Sequence, residues 1–194
     1  YEKWGKLPGM SNWDFKHVLP YFNKMETALG SEPNDPRRGH NGPLVLTRGP
    51  ATSPLFQAFF ESVQQAGYNL TNDVNGYRQE GFAPFDRNIF KGKRLSAARA
   101  YLHPVLDRKN LDVRTRAFTT RILFDGETAT GVEYEWKGAK RRVYADKVIL
   151  CGGAINTPQL LQLSGVGDRD HLEKLGINVV KHLPGVGENL QDHL

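Results

Sequence analysis

Asp146-Lys147-Val148-Ile149-Leu150-Cys151-Gly152-Gly153-Ala154-Ile155-Asn156-Thr157-Pro158-Gln159-Leu160-Leu161-Gln162-Leu163-Ser164-Gly165-Val166-Gly167 reads as a strand, a tight turn and a helix. Residues 148–151 are a short continuous apolar run, the pattern of a strand buried on both faces. Gly152 and Gly153 remove two side chains where the backbone turns, and they let a ligand approach the main chain. Thr157-Pro158 reads as an N-cap with proline at the first helical position. Leu160, Leu161 and Leu163 give the helix an apolar side. A strand entering a glycine turn and a helix is how α/β folds present backbone N–H groups to a phosphate or carboxylate. An ordinary strand–turn–helix connection has the same pattern.

Composition narrows the classes. The chain has 194 residues, 39% hydrophobic and 24% charged, enough for a packed core in one domain or parts of two. No apolar run approaches the roughly 20 residues of a membrane span. The net charge of +5 is scattered, apart from Lys140-Arg141-Arg142, and no nucleic-acid recognition motif accompanies it. A nucleic-acid partner is therefore not expected. Cys151 is the single cysteine, so neither a disulfide framework nor a cysteine metal site is expected. Its place in the apolar run makes it a small buried hydrophobe. The chain begins at Tyr1 without Met or a targeting segment and stops within a motif-like run, which reads as an internal piece of a longer protein.

Upstream, residues 14–19 and 21–29 read as two short helices broken at Pro20. Residues 31–49 are a Pro, Gly, Asp and Arg loop, left by a short strand over residues 42–46. Ser53-Pro54 opens the clearest helix and Gly67 ends it. Leu55, Phe56, Phe59, Phe60 and Val63 form its apolar stripe, expected in a core. Residues 69–94 are polar and turn-rich. Four strands are expected at 111–115, 121–124, 131–136 and 141–145, with turns at Asp125-Gly126 and Lys137-Gly138. A short helix over 168–175 stops at Gly176, and 177–182 reads as a strand. Gly165-Val166-Gly167 and Gly185-Val186-Gly187 each lack the third glycine of a dinucleotide fingerprint, so neither is read as one.

The opening stretch resembles the second signature of the glucose–methanol–choline (GMC) oxidoreductases, through Gly153-Ala154, Thr157-Pro158, Leu160-Leu161 and Ser164-Gly165-Val166-Gly167. Residues 183–193 and 96–102 are also similar to that family, as is the Trp13 to Glu26 segment. Asp73-Val74-Asn75-Gly76-Tyr77-Arg78-Gln79-Glu80-Gly81-Phe82 is closer to its choline-oxidising members than to the family in general. The resemblance implies a mixed α/β fold: a partial Rossmann-like FAD-binding domain with an inserted β-meander, over residues 95–194, and part of a substrate or cap domain over residues 1–94. It implies FAD as cofactor, a small alcohol such as choline as substrate, and a separate electron acceptor. It places Thr119 where the family holds the adenine through a backbone group, and Gly152 and Gly153 at the cofactor. Another GMC alcohol or sugar dehydrogenase, and a non-catalytic product keeping part of the fold, are the alternatives. The resemblance also implies a mitochondrial, inner-membrane-associated protein, with a bacterial membrane-associated one as the alternative.

The family's catalytic histidine lies beyond Leu194 and its N-terminal glycine fingerprint is missing, so no residue here is assigned a catalytic role. His17, His40, His103, His171, His182 and His193 all sit outside the catalytic motif. His193 falls in a family-like run, expected near the ligand face. Trp4, Trp13, Tyr77, Phe82 and Phe85 are candidates by type for facing a quaternary ammonium.

Overall fold

The computed structural model describes residues 1–192, in two compact units, Tyr1–Asp112 and Val113–Leu194. The boundary expected after Arg94 falls inside the first unit.

The first unit starts with a short helix, α1 (Glu2–Gly5), and a 3-10 turn at Ser11–Trp13. Helix α2 (Phe15–Met25) follows and contains Pro20. The expected break does not occur. Asp14 caps the helix by accepting the His17 N–H at 2.9 Å, and its Oδ1 lies 2.6 Å from His17 Nδ1. Proline at the sixth position removes only the bond to the carbonyl four residues back, and the anchored first turn carries the helix through. Strand β1 (Glu26–Ala28) then pairs in parallel with β2 (Leu44–Arg48), in the register Glu26 to Leu44. Helix α3 (Pro54–Gln65) forms as expected, capped by Ser53 and ended at Gly67 with φ +83°. Its stripe is not a core: Val63 is buried, whereas Leu55, Phe56 and Phe59 are exposed. Phe59 meets Phe60 and Phe82 edge-on. Short strands β3 (Asp86–Arg87), β4 (Ile89–Phe90) and β5 (Lys93–Arg94) close the region, with β3 antiparallel to β2. Ala98–Leu102 winds as a wide π turn into a 3-10 turn at His103–Val105.

The second unit is built on a three-stranded antiparallel meander, β6 (Phe118–Asp125), β7 (Thr128–Trp136) and β8 (Ala139–Tyr144). The hairpins are where the turn residues place them. Lys137 and Gly138 both take positive φ, as a two-residue hairpin loop requires. Residues 111–115 do not pair, so the expected first strand is absent; β6 starts later, at Phe118.

Two expectations about the opening stretch are corrected. Residues 148–151 belong to no helix and no sheet of the described residues, and Ile149 is 83% exposed. An apolar run becomes a buried strand only beside ladder partners, and none lies here. Cys151 is accordingly exposed. Helix α4 (Gly153–Leu163) starts five residues before Pro158, with Gly152 at its N-cap. Gly153, at φ +85°, makes the sharp entry that Thr157-Pro158 was expected to make. Pro158 again sits at the sixth helical position. Strand β9 (Val166–Gly167) pairs in parallel with β10 (Lys181–His182), and α5 (Arg169–Lys174) lies between them in sequence. Asp168 caps α5, and Gly176 follows its end at φ +71°. Residues 177–180 stay outside the ladder. The core of this unit is Ile122, Tyr134, Val166 and Leu172, the last with no exposed surface.

Candidate functional site

A cleft of about 800 Å³ opens in the second unit between the meander, the irregular 147–152 segment and α4. Thr119 and Gly152, separate in sequence, both line it. Gly153 does not line it but begins α4 directly behind Gly152, with no atom within 4 Å of where a Cβ would stand. Thr119 pairs with Tyr134 across the meander, and the ladder slips between Thr119 and Arg121. Such a bulge bends the strand and re-aims its groups.

The far end of α4 is fastened to the meander. Ser164 Oγ donates to the Leu160 carbonyl at 2.6 Å and accepts the Ile122 N–H at 2.9 Å. Gly165 has φ +91°, and a Cβ there would come 2.4 Å from the Asn178 carbonyl oxygen, so no other residue fits. Val166 is buried in β9. Gln162 donates to the Val186 carbonyl at 3.0 Å and holds the 183–188 turn against the helix. Gly167 packs where a Cβ would come 3.2 Å from Gln162 Cγ, so each residue of the Ser164–Gly167 run has a structural task.

The near end of α4 is open. Gly152 offers no side-chain cap, and the first turn carries no acidic residue. The first N–H groups of a helix lack intrahelical partners and carry partial positive charge. Lys147 adds a full positive charge to the cleft lining. The cleft suits an anionic or phosphate-bearing group beside an apolar wall.

The main polar feature of the first unit is a buried arginine that no local sequence motif marks. Arg38 is 3% exposed. Its guanidinium donates to Glu26 at 2.9 Å, to both Asp73 oxygens at 2.8 and 2.6 Å, and to Asp86 at 2.9 Å. Arg48 donates to Asp86 at 2.7 Å and to the Asn72 carbonyl. Burial lowers the affinity of Arg38 for its proton, but its bonds to Glu26 and Asp86 outweigh that and raise it further above its ordinary value. Burial pushes the Asp86 carboxyl up, and its bonds to Arg48 and Arg38 bring it net below the usual carboxylate range. Partners this far apart in sequence leave no spacing signal. The one available clue is charged residues inside segments too polar to pack otherwise.

The aromatic candidates do not form one box. Trp4 and Trp13 meet edge-on at 6.4 Å, beside Tyr1 and Phe22. Phe82 and Phe85 line a different groove, with Phe56 and Phe59. Tyr77 has the Arg37 guanidinium over its ring at 4.3 Å. Among the histidines, His17 packs into the α2 cap, and His182 Nδ1 accepts the Arg169 N–H at 3.0 Å. His193 lies outside the described residues. Among the described residues, no group of three His, Cys, Asp or Glu side chains is disposed to hold a metal.

The GMC oxidoreductase family pattern matches residues 1–194. The chain belongs to the GMC oxidoreductase family. It is 59% identical over all 194 residues to the oxygen-dependent choline dehydrogenase of Staphylococcus xylosus, covering 35% of that protein. It is 58% identical to that of Staphylococcus haemolyticus, covering 34%. The chain thus spans about a third of the length of the curated relatives it matches. Among solved structures, pyridoxine 4-oxidase from Mesorbium loti superposes with a TM-score of 0.86 at 30% identity, over 95% of this chain and 36% of that one. An FAD-dependent oxidoreductase from Chaetomium thermophilum gives 0.85 at 32%, over 99% and 35%. This GMC chain is a partial Rossmann-like FAD-binding fold with mixed helix and strand, in a family of FAD-dependent oxidoreductases that act on alcohols. The expectation of a mitochondrial protein is overturned, because the relatives are bacterial. No described helix is long and apolar enough to cross a membrane.

Proposed function

We propose that this chain is the FAD-holding and substrate-facing part of an enzyme that oxidises choline to betaine aldehyde. The observation that carries the proposal is 59% identity over the entire chain to an oxygen-dependent choline dehydrogenase. FAD, when bound, accepts the hydride removed from the alcohol carbon. Thr119 holds the adenine end through its backbone. The Gly152–Gly153 turn and the open first turn of α4 receive the negatively charged part, with Lys147 adding positive charge. Support comes from the absence of a side-chain cap on α4 and the empty space where a Gly153 Cβ would stand. The second unit is the FAD-binding portion, and the first unit belongs to the substrate or cap portion. An alcohol with a quaternary ammonium is the substrate, and a separate electron acceptor completes turnover.

A different alcohol is the competing reading, favoured by the likeness to pyridoxine 4-oxidase. Carbonyl product formed by the full-length protein from choline and from pyridoxine, each with an artificial electron acceptor, separates the two. Choline is expected to be turned over much faster. Turnover of pyridoxine with none of choline overturns the proposal. The 194-residue chain on its own is expected to purify without flavin colour or alcohol oxidation; stoichiometric yellow cofactor on it would show that the remaining length is not needed.

A further inference from the structure

We propose that Ser164 is a positioning residue for the cofactor: its hydroxyl sets the width of the cleft between Thr119 and the Gly152–Gly153 turn. The inference rests on the flavin reading above.

Ser164 is 6% exposed, a neutral polar side chain within an otherwise apolar core. Its hydroxyl has one proton to donate and lone pairs to accept with. It uses both at once, donating within α4 to Leu160 and accepting from Ile122 of β6. β6 is the edge strand of the meander, so an N–H on its outer side has no ladder partner. Ile122 is itself buried, and without the hydroxyl its N–H would be left unpaired.

The consequence for the cleft follows from where the two bonds lie. β6 bulges between Thr119 and Arg121, so the Thr119 end pairs with β7 in a register offset by one residue from that of residues 121–123. Past the bulge β6 rejoins the ladder at Arg121, opposite Glu133, and the adjoining Ile122 is held on the strand's outer edge by Ser164. On the other side, Ser164 directly follows α4, the helix whose first residue is Gly153. Ser164 is kept in place by Gly165 beside it, whose carbonyl accepts the Val180 and Lys181 N–H groups. One hydroxyl therefore ties together two elements whose residues line the cleft. Losing it leaves both elements folded but frees their spacing.

The test is FAD affinity of the full-length protein, followed by flavin fluorescence, together with amide exchange at Ile122 without cofactor. Ser164→Ala is expected to raise the Kd for FAD roughly tenfold, the scale of one unpaired buried N–H. The Ile122 amide is expected to exchange faster in that variant. Ser164→Thr keeps the hydroxyl and is expected to restore most of the affinity. Leu172→Ala damages the same core without touching the clasp; it is expected to lower the melting temperature at least as much and leave the Kd within about twofold. Ser164→Ala binding FAD as tightly as the wild type overturns the inference. So does a Kd that rises in both variants in step with lost stability. A wild-type protein with no affinity for FAD overturns the functional reading itself, and this inference with it.

Discussion

The two units bury their interiors in opposite ways. In the first, the buried apolar residues are small or few, Ala28, Val63, Ala83 and Ala100, and the most enclosed long side chain is Arg38. Two arginines and three carboxylates hold together strands and loops that share little sheet. In the second, Ile122, Tyr134, Val166 and Leu172 make the core, and the buried polar residue is a neutral hydroxyl. The difference tracks sequence texture. Residues 31–43 and 67–85 have no apolar periodicity, and charge pairs join backbone bonds such as Thr71 N–H to the Phe82 carbonyl in fixing where they lie. The meander has period-two alternation and is fixed by its ladder and by side-chain packing. A chain can therefore order a polar segment, but the order then depends on ionisation.

Removing the central charge is the strongest way to break that contrast. Arg38→Met leaves three carboxylates facing one arginine in a site shielded from water. It is expected to cost the first unit about 3–5 kcal/mol, measured by denaturant unfolding. A loss below about 1 kcal/mol would mean that the network only decorates that unit. In the second unit, Leu172→Ala is expected to cost about 2–5 kcal/mol, the same at neutral and acidic pH.

Acid sharpens the comparison with a smaller effect. Asp86 has a folded pKa below its unfolded value, so its contribution is complete above the ordinary carboxylate range, about pH 4, and is lost as pH falls through the lowered value. Amide protection in residues 35–39 and 72–86 is expected to fall in that window, while protection at Ile122 and Leu172 holds. Equal loss in both units would refute the ionic account of the first. The smallest effect is expected from Asp168→Ala, which removes the α5 cap at His171 and should cost about 1 kcal/mol in thermal unfolding.

Local chemistry was legible in the sequence and long-range chemistry was not. Ser53-Pro54, Lys137-Gly138 and Gly176 announced their helix start, hairpin and helix end because each acts within a few residues. Pro20 and Pro158 misled for one reason. A proline at the sixth helical position costs a single bond, and an anchored first turn decides whether the helix survives it. The 148–151 run misled because an apolar segment signals burial without showing which strands stand beside it. The Arg38 network and the Ser164 clasp escaped because their partners lie tens of residues away. Ser164-Gly165-Val166-Gly167 was readable only as a family-like run. The structure supplies its reasons: a clasp, a backbone turn, a buried strand and close packing on Gln162.

The most direct test of the central claim is to purify the full-length protein and add choline in the absence of oxygen while following its visible absorption. A stoichiometric oxidised-flavin band that bleaches on adding choline is expected. A protein that carries no flavin, or whose flavin band is untouched by choline and bleached by a different alcohol, would contradict it.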